Sequence, residues 1–380
     1  MPTMNGNVLN WASDIEPDTI LQAQKAARLP FVAGHVALMA DAHVGFGATI
    51  GSVIPTEGAV VPSAVGVDIG CGMIACHLPL TSKDLPDNLD ELHHSISRSV
   101  PAGVGQGHAS ARQIDKPIFD LTDKELKAAE TQMGSLGSGN HFVEVCLDEN
   151  DGVWVVLHSG SRGVGNQLAT RYIDKAKANM KAYFIHLEDP DLAYLVEGTD
   201  DFNEYIAAML WAQDWALVNR ETMMDAVLKD VRYFLSRHDL REVQRINSHH
   251  NFCVKENHHG RNVWLTRKGA IRARQGDLGI IPGSMGTRSY IVEGLGNPAS
   301  YNSCSHGAGR RLSRGQAKRS LDIDEFRKQM AGKSWDADNA AGLLDEAPKA
   351  YKQIEQVMAD QADLVRPLHE LHQILSYKGS

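Results

Sequence analysis

Asp68, Cys71, His141, His158 and His250 are five residues able to bind metal, and each sits in a short island of small and polar residues. The islands are Val67-Asp68-Ile69-Gly70-Cys71-Gly72, Gly139-Asn140-His141-Phe142, Leu157-His158-Ser159-Gly160-Ser161-Arg162-Gly163 and Ser248-His249-His250-Asn251. Together they pair a soft thiolate and neutral imidazoles with a hard carboxylate, a donor mixture suited to borderline divalent ions such as Mn²⁺ or Zn²⁺. A further histidine, His306, lies in Ser305-His306-Gly307-Ala308-Gly309-Arg310-Arg311. Small flanking residues allow close approach of backbone to a ligand, and the arginines suit a polyanion. A neutral imidazole in such a setting can attack phosphorus without first losing a proton.

Each island also has a plainer reading. Asp68 and Cys71 could be a helix cap and a buried structural cysteine; they converge on one point only if Gly70 turns the backbone sharply. Asn140-His141 follows Gly134-Ser135-Leu136-Gly137-Ser138-Gly139, whose amides could cradle an anion, and the same is expected of Pro282-Gly283-Ser284-Met285-Gly286-Thr287. His249 and His250 are adjacent, so a strand would turn them to opposite faces. Asn251 extends the polar run and favours His250 as the ligand. His258-His259 and His93-His94 have no comparable context and are expected at the surface.

The elements that must carry these islands follow from periodicity. Helices are expected over Asp18 to Leu29, Thr122 to Met133, 166 to 186, 201 to 235, Ile323 to Met330 and Glu346 to Leu375. Strands are expected over Phe31 to Met39, Met73 to Leu78, Val153 to Leu157, Asn262 to Arg267, Leu278 to Ile281 and Ser289 to Val292. No repeat or composition break divides the motifs. The expectation is α+β, one integrated domain over residues 1–380 with a central mixed or antiparallel sheet core and a helical insertion at about 164–240.

With 43% hydrophobic and 22% charged residues in 380, the chain is long enough for a large core and too apolar to be disordered. Five cysteines without paired spacing, and no secretory signal, point to a reducing cytoplasmic setting. No apolar run reaches the roughly 18 to 20 residues that span a bilayer, so no membrane partner is expected. A net charge of −9 opposes indiscriminate nucleic-acid binding. Local clusters at Arg310, Arg311, Arg314, Lys318 and Arg319, and at Arg267, Lys268, Arg272 and Arg274, still offer basic surface or simply solvated faces.

Taken together, the islands resemble the RtcB family of RNA-splicing ligases. The likeness runs through Met39-Ala40-Asp41-Ala42-His43-Val44-Gly45, Val67 to Gly72, Leu136 to His141, His158 to Gly163, His250-Asn251, Arg267-Lys268-Gly269-Ala270, Pro282 to Thr287 and His306 to Arg310. It implies a GTP-dependent ligase with two Mn²⁺ ions that joins RNA 3′-phosphate or 2′,3′-cyclic phosphate ends to 5′-hydroxyl ends, in tRNA splicing or RNA repair. By the same resemblance Cys71 would bridge the ions, Asp68 and His141 would complete one, and His158 and His250 the other. His306 would be the catalytic nucleophile, carrying GMP. Nucleotide contacts would fall on Asn140, His141, Phe142, Val143 and Glu144, on His250 and Asn251, on Pro282, Gly283, Ser284, Met285 and Ser289, on His306, Gly307, Ala308 and Gly309, and on Lys378. The implied partners are such RNA ends, GTP and an archease-like activator, with no role for DNA.

Three departures stand out. Ala40 precedes Asp41 where many members have proline, Thr266 stands where some have histidine, and the 101–133 segment is short. None removes a ligand or the nucleophile; they bear on which RNA is chosen. The rival reading of the same residues is a binuclear metal-dependent phosphoesterase, in which a metal-bound hydroxide attacks and His306 only binds phosphate.

Overall fold

Val153 to Leu157 is apolar at every position, the pattern of a strand buried on both faces. In the computed structural model, which describes residues 2–379, it is the middle of the strand Gly152–Ser159, paired antiparallel with Gly72–Thr81 on one side and Phe142–Leu147 on the other. This sheet continues outward through Gln244–His249 at one side and through Val365–Lys378, Ser289–Gly294 and Leu278–Ile281 at the other. It curls until its two outer strands approach each other. Ile74, Leu78, Val143, Val145, Val155 and Leu157 point to one face, covered by Met223, Met224, Val227 and Val231 of the helix Asp200–Phe234. Met73, Ala75, Trp154, Val156, Ile246, Ile280 and Ile291 fill the other.

A second sheet holds Val36–His43, Ile50–Thr56, Arg261–Lys268 and Asn251–His258 in sequence, edged by short N-terminal strands. The helices expected in the middle of the chain are Arg162–Ala182 and Asp200–Phe234. They pack on the sheets and on the loops between them.

Two element expectations fail. The tail is not one helix: Ile354–Asp360 is helical, but Val365–Lys378 is a 14-residue strand inside the main sheet. Pro367 opposes a helix interior, and the misleading polar residue in the run, Gln373, is buried because its side chain serves the backbone of another loop. Its Oε1 accepts from Gly286 N (2.8 Å) and its Nε2 donates to Ser284 O (3.1 Å). The strand expected over Phe31 to Met39 begins later and runs through Asp41, as Val36–His43.

Half of the second basic cluster is not a surface feature: Arg272 and Arg274 are exposed, whereas Arg267 and Lys268 are buried. Arg267 is wholly buried, pairing with Glu256 at 2.6 Å and donating to Ser303 Oγ at 2.8 Å and Tyr301 O at 3.1 Å. His258, expected in solvent, is buried and bonds Glu256 at 2.9 Å; His259 and His94 are exposed, as expected, whereas His93 is half-buried with its ring edge-on to Tyr377. Lys268 is buried too, its ammonium capping Ser63 O and Phe46 O. Burial works to raise the Glu256 carboxyl, but His258 and Arg267 outweigh it and hold it well below the usual range. A depressed carboxyl contributes stability that is present above its unfolded pKa and lost as pH falls toward the folded one. Glu256→Ala is therefore expected to destabilise the fold by about 3–5 kcal/mol in urea denaturation at pH 7, because it strands a buried guanidinium; a loss below about 1 kcal/mol would contradict this reading.

Candidate active site

Strand register brings the islands together. Met73 pairs with His158, Phe142 also pairs with His158, and Gly72 pairs with His249. Cys71, His141, His158 and His250 consequently share one rim of the sheet, on strands spaced about 4.8 Å apart. Gly70 makes the Asp68–Cys71 turn possible: its φ is +72°, and a Cβ there would meet Gln213 Cα at 2.8 Å. His250 N donates to Cys71 O at 2.7 Å, tying the fourth island to the first.

The side chains form two groups that share the cysteine, Cys71 with His158 and His250, and Cys71 with Asp68 and His141. Cys71 Sγ lies 3.4 Å from His141 Nε2 and 3.3 Å from His158 Nε2. His158 Nε2 is 3.3 Å from His250 Nε2, and His141 Nε2 is 3.1 Å from Asp68 Oδ2. His141 and His158 each donate Nδ1–H to a backbone carbonyl, Leu136 O at 2.8 Å and Asn140 O at 2.9 Å. That fixes their tautomer and leaves both Nε2 lone pairs aimed at one sulfur. One thiol proton can serve only one of them, and His250 Nδ1 is buried without a protein partner.

The electrostatics fit a cation. Burial pushes His158 and His250 well below the usual imidazole range, into the neutral ligating form. Burial and the neighbouring Asp68 push the Cys71 thiol well above its ordinary value, so a thiolate there needs positive charge beside it. Burial would raise Asp68, but His141 wins and keeps it below the usual carboxylate range. The donor set therefore suits two borderline divalent ions sharing a thiolate.

His306 comes from the other sheet system. The strand Ser303–Ser305 pairs with Ala270–Arg272 and delivers His306 beside the cluster, with ring centroids of His250 and His306 4.7 Å apart. Asp41, fully buried on Val36–His43, accepts three N–H groups through Oδ2: His306 Nδ1 at 2.6 Å, His306 N at 3.1 Å and Gly307 N at 3.2 Å. Burial would raise its carboxyl, yet His306 holds it below the ordinary value. Nδ1 thus carries the proton and Nε2 is left with its lone pair. The sequence signalled Asp41 only as part of the motif Asp41-Ala42-His43-Val44; its partnership with His306 spans 265 positions and has no local trace.

A cavity of about 270 Å³ opens in front of His306. Asn140, Phe142, Glu144, Pro282, Gly283, Ser284, Met285, Gly307, Ala308, Gly309 and Lys378 line it, as do His158 and His306. Other residues expected at the nucleotide do not. Val143 points into the apolar core, because alternate residues of its strand face opposite sides. Asn251 Oδ1 accepts from Gly269 N at 2.8 Å, and Ser289 Oγ accepts from Gly283 N at 3.3 Å, so both shape loops behind the wall. Sequence reasoning missed the far wall, made by Arg314, Glu346, Tyr351 and Gln373. Lys378 is buried there, 2.5 Å from Glu346 Oε2 and 5.6 Å from the Phe142 ring centroid, so it is not a solvated terminal charge. Burial pushes the Glu144 carboxyl up to about 7. A neighbouring groove shares His43, Ile50, Arg310 and Arg314 with the cavity and extends to Arg311 and Lys352. Of the first basic cluster, Arg310, Arg311, Arg314 and Lys318 are each paired with Glu346, Asp14 or Asp345.

All five cysteines are free and buried, and no helix among the described residues is long and apolar enough to cross a membrane. Residues 22–120 and 118–379 match the family described as tRNA-splicing ligase RtcB. The chain is 43% identical to the RNA-splicing ligase RtcB of Escherichia coli (strain K12) over 100% of its own length and 99% of the relative's. It is 30% identical to the tRNA-splicing ligase RtcB of Nanoarchaeum equitans, over 97% and 92% of the two chains, and to the RNA-splicing ligase RtcB of Mycobacterium bovis, over 94% and 100%. A sulfur shared by two groups of candidate ligands, next to a carboxylate-held histidine at a cavity of about 270 Å³, thus belongs to a chain that is a member of the RtcB family and an RNA ligase.

Proposed function

We propose that this ligase joins RNA 3′-phosphate or 2′,3′-cyclic phosphate ends to 5′-hydroxyl ends, consuming GTP and using Mn²⁺, through GMP carried on His306. The observation that carries this reading is the Asp41–His306 pair, which presents a bare Nε2 to the cavity beside the Cys71 cluster. A hydrolase using metal-bound hydroxide has no need of such a nucleophile, which disfavours the phosphoesterase alternative.

Asp68, Cys71 and His141 would hold one ion and Cys71, His158 and His250 the other, supplying positive charge against the phosphate oxygens. Asn140 and the loop Pro282 to Met285 would face the phosphates and ribose. Glu144 and Lys378 would read the guanine edge as acceptor and donor, Glu144 fully so above about pH 7 where it is a carboxylate. His306 Nε2 attacks the α-phosphorus of GTP; the N–P bond forms as the bond to the β-phosphate oxygen breaks, and pyrophosphate leaves. Asp41 stabilises the positive charge that develops on the ring through Nδ1–H. An oxygen of the RNA 3′-phosphate then takes the GMP as the P–N bond to His306 breaks, and the 5′-hydroxyl oxygen, giving its proton to solvent, displaces GMP from the activated RNA phosphorus. A cyclic end must first be opened by water to the 3′-phosphate. Arg310 and the groove toward Arg311 and Lys352 offer the RNA a path to this point. tRNA splicing or RNA repair in the cytoplasm, with an archease-like activator, is the proposed setting.

The test is incubation of labelled RNAs bearing 3′-phosphate and 5′-hydroxyl ends with GTP and a divalent ion. Joined RNA, dependent on GTP, is expected; release of free phosphate without joining would favour the phosphoesterase. Mn²⁺ should support joining at least about tenfold faster than Mg²⁺, since thiolate and imidazole ligands disfavour the harder ion. Equal rates would count against the proposed ligand set.

A further inference from the structure

Arg220 is a wholly buried guanidinium in the middle of the helix Asp200–Phe234, and no carboxylate pairs with it among the described residues. Its Nη1 and Nε go instead to three oxygens, and its Nη2 lies 3.2 Å from His249 Nδ1. Nη1 donates to Gly70 O (2.8 Å) and Ser159 O (3.1 Å), and Nε donates to Asn247 Oδ1 (2.7 Å). The preceding residue, Asn219, is equally buried. Its Oδ1 accepts from Gly134 N (2.7 Å), and its Nδ2 donates to Gly160 O (3.2 Å) and Ser135 O (3.3 Å).

These partners lie in the four segments that carry the ligating side chains. Gly70 immediately precedes Cys71, and Ser159 and Gly160 immediately follow His158. Gly134 and Ser135 begin the loop that ends at His141, whose Nδ1 bonds Leu136 O, and Asn247 is on the strand that leads to His250. The same helix meets Gly70 at Gln213 and Ala216, and Gln213 Oε1 accepts from Cys253 N at 2.8 Å. Consecutive helical side chains diverge by about 100°, so two adjacent residues can reach loops on both sides of one helix face.

We propose that Asn219 and Arg220 are positioning residues for the metal centre, holding all four ligand-bearing segments in register so that the cations meet a preformed site. The proposal rests on the reading of Asp68, Cys71, His141, His158 and His250 as metal ligands. Arginine is suited to this task because its planar fork serves several fixed acceptors at once, which an ammonium on a flexible stem does not. Outer partners that orient metal ligands are typically worth 10–100-fold in metal affinity.

The experiment compares Arg220→Lys, which keeps the buried charge but loses the fork, and Asn219→Ala with the unaltered protein and Cys71→Ala. Mn²⁺ affinity is measured by calorimetry, and the thiolate-to-cobalt absorption band is recorded after Co²⁺ loading. Thermal melting without metal is followed in parallel. Both positioning variants are expected to bind Mn²⁺ about 10–100-fold more weakly with an altered cobalt spectrum. Ligation should return when Mn²⁺ is raised in proportion, because every ligand is still present. Variants that melt like the unaltered protein and bind Mn²⁺ with its affinity would overturn the proposal, as would a loss of ligation that no amount of Mn²⁺ restores. If Arg220→Lys does not fold, the Asn219→Ala result decides alone. Failure of the unaltered protein to bind Mn²⁺, or equal binding by Cys71→Ala, would instead bring down the metal-centre reading itself.

Discussion

Replacing His306 with alanine is expected to abolish GMP transfer to the protein while leaving the fold and the metal content unchanged. The side chain is not a ligand in either cysteine-sharing group, so its loss removes no metal donor. Of the neighbouring imidazoles, His250 is turned to His158, with the two Nε2 atoms 3.3 Å apart. Loss of a covalent nucleophile costs roughly 10³-fold or more in turnover. Asp41→Asn provides the companion result. An amide nitrogen facing Nδ1 would favour the wrong tautomer and put the proton on Nε2, costing about 10³–10⁴-fold with no change in shape. The measurement is single-turnover labelling with GTP, with Mn²⁺ content determined on the same samples. Adduct formation by His306→Ala at the unaltered rate would mean that another residue carries the nucleotide.

The second large effect is expected from Cys71→Ala. Both ligand groups use this sulfur, so a single truncation removes a donor from two ions, whereas His250→Ala touches only one group. Cys71 is also nearly inaccessible. Loss of both bound ions and of nucleotidylation is expected from Cys71→Ala, read by metal analysis and by GMP labelling. In His250→Ala one ion should remain. Normal labelling in Cys71→Ala would refute a shared thiolate ligand.

The residues proposed to do the chemistry were legible in the sequence because their types are scarce and their surroundings are small. Aspartate, cysteine and histidine beside glycine stand out against any background, and the continuous apolar run Val153 to Leu157 betrayed a strand buried on both faces. Strand alternation allowed only one of His249 and His250 to face the site, and the polar run extended by Asn251 favoured His250; His249 turns its Nδ1 to Gly70 O at 2.8 Å. Partners defined only by long-range packing left no such signal. Asp41 meets His306 across nearly the whole chain, and Glu346 and Tyr351 reach the cavity from a segment with no motif. Arg220 and Asn219 sit in a helix whose apolar periodicity hides them. Arg267 misled for the opposite reason: charged residues usually face water, and here a buried partner satisfies it.

The most direct test is incubation of the purified protein with GTP labelled at the α-phosphate in the presence of Mn²⁺, followed by mapping of any acid-labile adduct. One GMP bound through nitrogen at His306, absent from His306→Ala, is the expected result. Metal-loaded protein that joins RNA ends without ever acquiring GMP at His306 would contradict the proposed nucleophile and the reaction order built on it.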